Sequence, residues 1–293
     1  MKAIISTILF INFLHARAQN LDSLINISLT LKSDTEKVQL FYKEGFKYRA
    51  IDPFYSFECA EWAEKSANES KNPYYLAKAF NLKGIIFYRK GEYPKALNYH
   101  RKALEFRTKI KDLDGIVKSN INLANIYSEL NMFLTAEANY NSAYEICVQT
   151  QNHLQATNCL MNMGVLFATA ASLQKDSIHF LKAQDYFKRA FRSANQMHHY
   201  ELMAEILNNT AVLNLIQQEN EDAVANGMDA LKLYDIMELD AMKADVYLNL
   251  ALANLYLKNV SSANDCLTKA DSLIRYFNLT ESKLQWYNIA AKV

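Results

Sequence analysis

The sequence is poor in the residues that break or cross-link a chain. Its 293 residues include only 6 Gly, 3 Pro and 4 Cys, whereas 51% are apolar. So little Gly and Pro excludes a flexible linker and favours a compact helical protein. The formal charge is only +1 and no basic run occurs, so the sequence lacks the electrostatic signature of nucleic-acid binding.

Motifs of catalysis and cofactor binding are missing too. The chain has no GxGxxG, GxxxxGK[ST], HExxH or GxSxG segment. Its cysteines lack the CxxC spacing of metal sites, and the adjacent His198 and His199 would point in different directions on a helix. We therefore expect no enzyme, no cofactor and no metal site.

Small residues recur along the chain with one period. The first series, at steps of 40, 40, 47, 40 and 40, is Gly84, Ala124, Gly164, Ala211, Ala251 and Ala291. The second series consists of the pairs Ala96/Ala103, Ala136/Ala143, Ala183/Ala190, Ala223/Ala230 and Ala263/Ala270. Helices that pack closely need small residues at their contacts. Two series that share a period and one interruption predict an all-α solenoid with two helices per repeat.

One stretch carries a family resemblance. The segment NLKGIIFYRKGEYPKALNYHRKAL, which ends at Leu104, resembles the tetratricopeptide repeat signature of a small residue, an aromatic residue, Gly-x-Tyr and two Ala-Leu pairs. Its period of 40 exceeds the family's usual 34 and falls in the range of HEAT and armadillo repeats, which remain an alternative. The resemblance implies a right-handed α-solenoid whose first helices line a concave surface.

The N-terminus predicts a secretory signal over residues 1–18. One Lys, an apolar core over residues 3–14 and the A-x-A spacing of Ala16 and Ala18 are typical of such signals. The alternative is an uncleaved anchor or a hydrophobic first helix. Cleavage would remove Lys2 and Arg17 and change the formal charge from +1 to −1.

The rest of the chain divides by the repeat. Residues 19–75 predict a leading helix and a divergent first hairpin, with Asp52 and Pro53 starting its second helix. Five hairpins follow, at 76–115, 116–155, 156–202, 203–242 and 243–278, and residues 279–293 form a first helix of a sixth repeat or a capping helix. The step of 47 predicts a loop insertion near 170–178, either a tolerated surface loop or a partner contact.

Two cysteines flank one predicted turn. Cys147 and Cys159 could oxidise in an exported protein, but helix phasing places them several residues out of level, which argues against a disulfide. Cys59 and Cys266 hold equivalent positions in second helices, where we expect ordinary packing.

Asparagines recur on the first helices. Asn122, Asn162, Asn209 and Asn249 each precede the small residue by two positions, and Asn81 lies beside that position in the first repeat. An amide both donates and accepts, so a series of them can hydrogen-bond a peptide backbone. The pattern resembles the asparagine ladders of kinesin light chains and O-GlcNAc transferases. The alternative is that each Asn bonds its neighbouring backbone. The predicted peptide-binding residues are Asn81, Asn122, Asn125, Asn158, Asn162, Asn208, Asn209 and Asn249.

A second site of the family is not matched. The carboxylate clamp for chaperone C-termini needs lysines and an arginine, but four of its five positions differ. The residues at those positions are Asn81, Ile85, Asn122, Asn158 and Asn162, and only Asn122 agrees.

The order of signal, divergent hairpin and repeats resembles the extracytoplasmic input regions of bacterial sensor proteins. We therefore expect an exported, periplasmic or extracytoplasmic module that binds a protein or peptide, without a nucleic-acid partner and without membrane insertion of the mature segment. The competing interpretation is a scaffold for an envelope complex, in which the groove stays empty.

Overall fold

The structure, a computed structural model, describes residues 20–292, so the predicted signal at 1–18 lies outside the described residues. Within this range the protein is all-α, without a strand. The helices are α1 (20–30), α2 (Asp34–Tyr48), α3 (Pro53–Ser70), α4 (Pro73–Arg89), α5 (Tyr93–Lys109), α6 (Leu113–Glu129), α7 (Phe133–Gln149), α8 (His153–Gln174), α9 (Ser177–Gln196), α10 (Tyr200–Gln217), α11 (Asn220–Ile236), α12 (Lys243–Tyr256), α13 (Val260–Phe277) and α14 (Thr280–Ala290), with a 3₁₀ turn at Asp240–Met242 before α12.

The turns between helices repeat one geometry. From the end of α3 onward, each contains a residue with a left-handed φ, and typically the next amide closes the turn, as where Glu92 N donates to Phe87 O at 2.9 Å. These left-handed residues are Lys71, Gly91, Lys111, Asn131, Gln151, Lys175, His198, Gln218, Glu238, Lys258 and Asn278. Most are 20 residues apart, because a helix of 17 residues, such as α4, alternates with a short turn. Two such halves produce the period of 40.

The third repeat differs from the expected loop insertion. Helix α8 has 22 residues and α9 has 20, so the seven extra residues lengthen both helices. Lys175, with φ 52°, ends α8, and the Asp176 carboxylate starts α9 by accepting from His179 N at 2.9 Å. The segment AASLQ contains neither Gly nor Pro, so nothing in it ends the helix earlier.

Helix α8 is also long and apolar enough in composition to span a membrane. However, 67% of its apolar window is buried inside the protein. Such burial is typical of the core helix of a repeat protein, and the small Gly164 lies in its middle.

The described residues form two compact units, 20–146 and 147–292. In both, the predicted small residues lie at close helix contacts. A Cβ added to Gly84 would lie 2.6 Å from the His100 ring in the first unit, and a Cβ added to Gly164 would lie 2.5 Å from the Phe187 ring in the second. The paired alanines are equally enclosed, with at most 2% exposure.

The predictions for the two ends of the repeat array have different outcomes. At the N-terminal end, Asp52 caps α3 by accepting from Phe54 N and Tyr55 N at 3.1 and 3.0 Å, which confirms the predicted start of this helix. At the other end, α14 packs on α12 and α13 through Ile289 and through Trp286, whose Nε1 donates to Leu267 O. The predicted sixth small residue, Ala291, lies past the end of α14 and is exposed.

Candidate functional site

Four of the predicted asparagines form amide–amide hydrogen bonds between neighbouring first helices. In the first unit, Asn122 Nδ2 donates to Asn81 Oδ1 at 3.0 Å. In the second unit, Asn249 Nδ2 donates to Asn208 Oδ1 at 2.9 Å. Each bond, called a rung below, joins residues 41 apart. These side chains therefore bond one another across repeats, rather than their own neighbouring backbone.

The other predicted asparagines divide into two kinds. Asn125 accepts from the Tyr140 hydroxyl, so it faces the second helix of its own hairpin. The side chains of Asn158, Asn162 and Asn209 are half-buried and make no hydrogen bond to the described residues. All three lie in the second unit and keep both amide functions available.

Asn209 also lines a cleft of about 260 Å³. Its walls are mainly apolar and come from α8, α9 and α10, with Val165, Leu173 and Phe187 among the lining residues. A free amide beside an apolar cleft offers both a backbone hydrogen bond and room for a side chain, which are the elements of a peptide site.

Charged residues lie one turn before each rung. The position six before the small residue is Lys78 and Lys118 in the first unit, and Glu205 and Asp245 in the second. The asparagine pattern does not predict this series, although its spacing of 40 within each unit is visible in the sequence. The two rungs therefore share a geometry and differ in the charge beside them.

The charged group of the first unit extends beyond the two lysines. Lys78 Nζ lies 4.4 Å from the centroid of the Tyr42 ring, and partial burial lowers its pKa, with repulsion from Lys118 and Arg107 acting in the same direction. Arg107 is 5% exposed, and its Nη1 donates to Gly115 O and to a serine hydroxyl at 3.0 and 2.7 Å. Burial lowers the pKa of Arg107 as well.

Carboxylates dominate the same place in the second unit. Partial removal from water raises the pKa of Glu205, and repulsion from Glu201 adds to it. Burial raises the pKa of Tyr234 to about 12, and Glu205, Glu201 and Asp245 reinforce the shift. The Ser282 hydroxyl donates to Asp245 at 2.7 Å. This face therefore carries negative charge.

The cysteines are arranged differently from the expectation. Cys147 and Cys159 are both buried, and burial raises the pKa of the Cys159 thiol to about 12, with a contribution from a hydrogen bond to Cys147. The two side chains are thus adjacent, and the prediction that they are out of level is wrong. No disulfide joins these two cysteines in this structure.

The adjacent histidines have a structural role. His198 holds the left-handed position of its turn, and His199 caps α10 because its Nδ1 accepts from Leu202 N at 3.2 Å. Residues 20–292 contain no group of three or more His, Cys, Asp or Glu side chains that could hold a metal ion.

Comparison with known proteins identifies the repeat. Residues 75–149 match the family profile described as the tetratricopeptide repeat. The chain therefore contains tetratricopeptide repeats over these residues. No curated protein matches the sequence. The match covers the segment in which the signature was found, and the resemblance is confirmed.

Solved structures show the same fold at low sequence identity. The apo form of the quorum sensor NprR from B. thuringiensis is 15% identical, with a TM-score of 0.63 over 94% of this chain and 76% of that one. The Rap conjugation gene regulator of plasmid pLS20, in complex with the Phr* peptide, is 13% identical with a TM-score of 0.64, over 92% and 78%. A signal transduction ATPase with a tetratricopeptide repeat sensor from Pyrococcus horikoshii is 13% identical with a TM-score of 0.68, over 92% and 42%.

Proposed function

We propose that this tetratricopeptide repeat protein is a non-enzymatic module that binds a peptide, or an extended segment of a protein, on its first helices. The observation that carries the proposal is the set of free amides at Asn158, Asn162 and Asn209, the last of which lines an apolar cleft. Similar folds support it, since the pLS20 regulator is in complex with the Phr* peptide and NprR is in complex with its cognate peptide NprX.

The chemistry of the site suits a peptide backbone. Each Asn side chain can donate to a peptide carbonyl and accept from a peptide N–H. These bonds are independent of the peptide's side chains, so the amides would hold the backbone while the cleft beside Asn209 selects one side chain. Asn162 and Asn209 occupy equivalent positions in consecutive repeats, which allows two contacts along one extended segment.

The test removes the free amides without disturbing a rung. We expect Asn162→Ala with Asn209→Ala to abolish capture of peptides selected from a randomised library, because the backbone contacts are lost. The free energy of unfolding should stay the same, since neither side chain bonds the protein. Asn264→Ala, at an exposed second-helix position in the same unit, is the matched control. Undiminished capture by the double variant would contradict the proposal.

We also propose that the protein is exported and serves as an input region of a signalling system. The predicted signal at 1–18 supports export, and the fold is shared with a quorum sensor and with the repeat sensor of a signal transduction ATPase. Expression of the full chain in a bacterial host should yield an envelope protein whose mass corresponds to cleavage after Ala18. An unprocessed cytoplasmic product would contradict export.

A scaffold role is the second candidate, and one surface favours it. The lengthened α8–α9 hairpin exposes Leu173, Ile178 and Leu181 by 60, 68 and 59%. Apolar side chains exposed together are typical of an interaction surface. If assembly is the function, Ile178→Asp with Leu181→Asp should abolish complex formation in the native host and leave peptide capture unchanged. If peptide binding is the function, the Asn162 and Asn209 variants should have the larger effect.

A further inference from the structure

We propose that Lys78, Lys118 and Arg107, around the rung of the first unit, form a subsite for a carboxylate of the bound peptide. The inference rests on the proposed peptide-binding function and specifies the chemistry of its ligand. Nothing in the asparagine pattern itself favours an acidic peptide, so the evidence comes from the charges around it.

The rung places the two lysines together. Lys78 lies three residues before Asn81 on α4, and Lys118 lies four residues before Asn122 on α6. Residues at these spacings share one face of a helix. Because Asn81 and Asn122 bond each other at 3.0 Å, the two lysines lie on facing parts of neighbouring helices.

Aromatic rings border this position. Lys78 Nζ lies 4.4 Å from the Tyr42 ring centroid and 5.6 Å from that of Tyr74. The two rings come from α2 and α4, so three successive first helices of the first unit, α2, α4 and α6, contribute to the subsite. The rings limit the access of water to the ammonium group, which strengthens its interaction with an anion.

Arg107 adds a buried cation without a carboxylate partner. Its guanidinium donates to two neutral acceptors, Gly115 O and the Ser119 hydroxyl. Among the described residues, no carboxylate is within ion-pairing distance of it. Buried cations normally have an anionic partner, and guanidinium groups bind carboxylates with strong, charge-assisted hydrogen bonds.

The nearby acidic groups do not neutralise the cluster. Asp112 caps α6 by accepting from Gly115 N at 3.0 Å, and its charge acts on Arg107 from there. Asp114 pairs with Lys118 at 2.5 Å, but both side chains are more than 60% exposed, so this pair is weak. Arg49 adds a further positive charge near Tyr42. Positive charge therefore remains in excess, and a peptide carboxylate would relieve the repulsion among the cations.

This subsite differs from the family's carboxylate clamp. Its three cations lie at positions outside the five clamp positions, four of which lack the clamp residue in this chain. The second unit provides an internal contrast, because Glu205 and Asp245 replace Lys78 and Lys118 beside a rung of nearly the same length. Those carboxylates would repel an acidic ligand.

The experiment is a selection of randomised heptapeptides on the full chain, followed by affinity measurements. We expect the selected peptides to be enriched in Asp and Glu, or to need a free C-terminal carboxylate. Lys78→Gln with Lys118→Gln should weaken their binding about tenfold or more, the loss expected for a charge-assisted hydrogen bond. Lys102→Gln with Lys109→Gln, exposed on the second helix α5, is the matched control with the same change in charge.

The chemistry of the selected peptides tests the carboxylate subsite. Selected peptides in which C-terminal amidation removes binding would identify a terminal carboxylate, and those weakened by Asp→Asn or Glu→Gln would identify a side chain; both support the subsite. Neutral or basic binders, or acidic binders that tolerate loss of both lysines, would overturn the subsite and leave peptide binding in place. A selection without any binder would overturn the proposed function together with this inference.

Discussion

The two compact units contain the same rung in two electrostatic settings. In the first unit the Asn81–Asn122 bond is flanked by lysines, whereas in the second the Asn208–Asn249 bond is flanked by carboxylates. The rung lengths, 3.0 and 2.9 Å, are nearly equal. The repeat thus sets the geometry of the amide–amide bond, while one residue per repeat sets the charge beside it. A solenoid can therefore change its ligand by changing such positions without altering its packing.

A second contrast lies in the core beneath the small residues. His100 packs against Gly84 in the first unit, and Phe187 packs against Gly164 at the equivalent place in the second. His100 is 1% exposed, its Nδ1 has no partner, and burial lowers its pKa to about 3. The first unit therefore has a buried titratable ring where the second has a ring that cannot be protonated.

The largest expected effect is loss of stability of the first unit in acid. Because the folded-state pKa of His100 is about 3 and its ordinary value is 6.5, its contribution is complete above pH 6.5 and declines as the pH falls toward 3. At pH 4.5 we expect a loss of about 2–3 kcal/mol from this residue. His100→Phe, which introduces the ring found at Phe187, should remove the loss. Hydrogen exchange of α4 and α5 at pH 7 and 4.5 measures it, and an equal loss in the variant would refute the assignment.

In the second unit, Glu205 should have the opposite effect on stability in acid to that of His100. The pKa of its carboxyl in the folded state is raised above the ordinary value of 4.5. Lowering the pH from neutral toward 4.5 should therefore increase its contribution to the free energy of unfolding, and Glu205→Gln should abolish that increase.

Substitution of the glycine at the close helix contact should be equally destabilising in both units. Gly84→Ala and Gly164→Ala each place a methyl group against a ring and should lower the free energy of unfolding by about 1–3 kcal/mol, as overpacked cores do. Denaturant titration of each variant tests this. Gly84→Ala combined with His100→Ala should be less destabilised than the sum of the single changes, and simple additivity would contradict the contact.

Much of this architecture follows from the sequence. The period of 40 and the small positions are direct consequences of helix contacts, and Gly91, with φ 72°, ends α4 as its position predicts. The seven extra residues were harder to place, because a helix can lengthen without any signal beyond the absence of Gly and Pro. They appear as four more residues before Lys175 and three more before His198 in the spacing of the left-handed turns.

The details of the site follow less directly. Neighbouring helices cross at an angle, so residues at equivalent positions need not face each other. Asn81 therefore meets Asn122 at a spacing of 41 rather than 40. In the second unit the same spacing joins Asn208 to Asn249, so Asn209, which a spacing of 40 selects, takes no part in that bond. The contact of Cys147 with Cys159 was missed for the same reason, since helix phasing alone ignores how the turn rotates the next helix.

The rungs should contribute about equally to stability. Asn122→Ala and Asn249→Ala should each lower the free energy of unfolding by about 1–2 kcal/mol, because each leaves an amide partner without its hydrogen bond. A double-mutant cycle with Asn81→Ala measures the coupling in the first unit. Asn162→Ala, which breaks no hydrogen bond, is the control. Additive losses in the cycle would contradict the rung.

The smallest expected effect is at the turns, where both units should gain stability. Lys111 and Lys258 have φ of 56° and 61°, in the region that glycine adopts without strain. Lys111→Gly and Lys258→Gly should each stabilise by less than about 1 kcal/mol. Thermal denaturation measures the gain, and Gly91→Ala should shift the midpoint in the opposite direction. A loss of stability in both lysine variants would contradict this explanation.

The most direct test of the central claim exchanges the charge of one rung for that of the other. Lys78→Glu with Lys118→Asp gives the first unit the residues found at the same positions of the second. The account predicts that peptide selection on this variant loses its acidic preference, while hydrogen exchange shows that α4 and α6 remain folded. Continued enrichment of acidic peptides by the folded variant would show that these positions do not select the ligand.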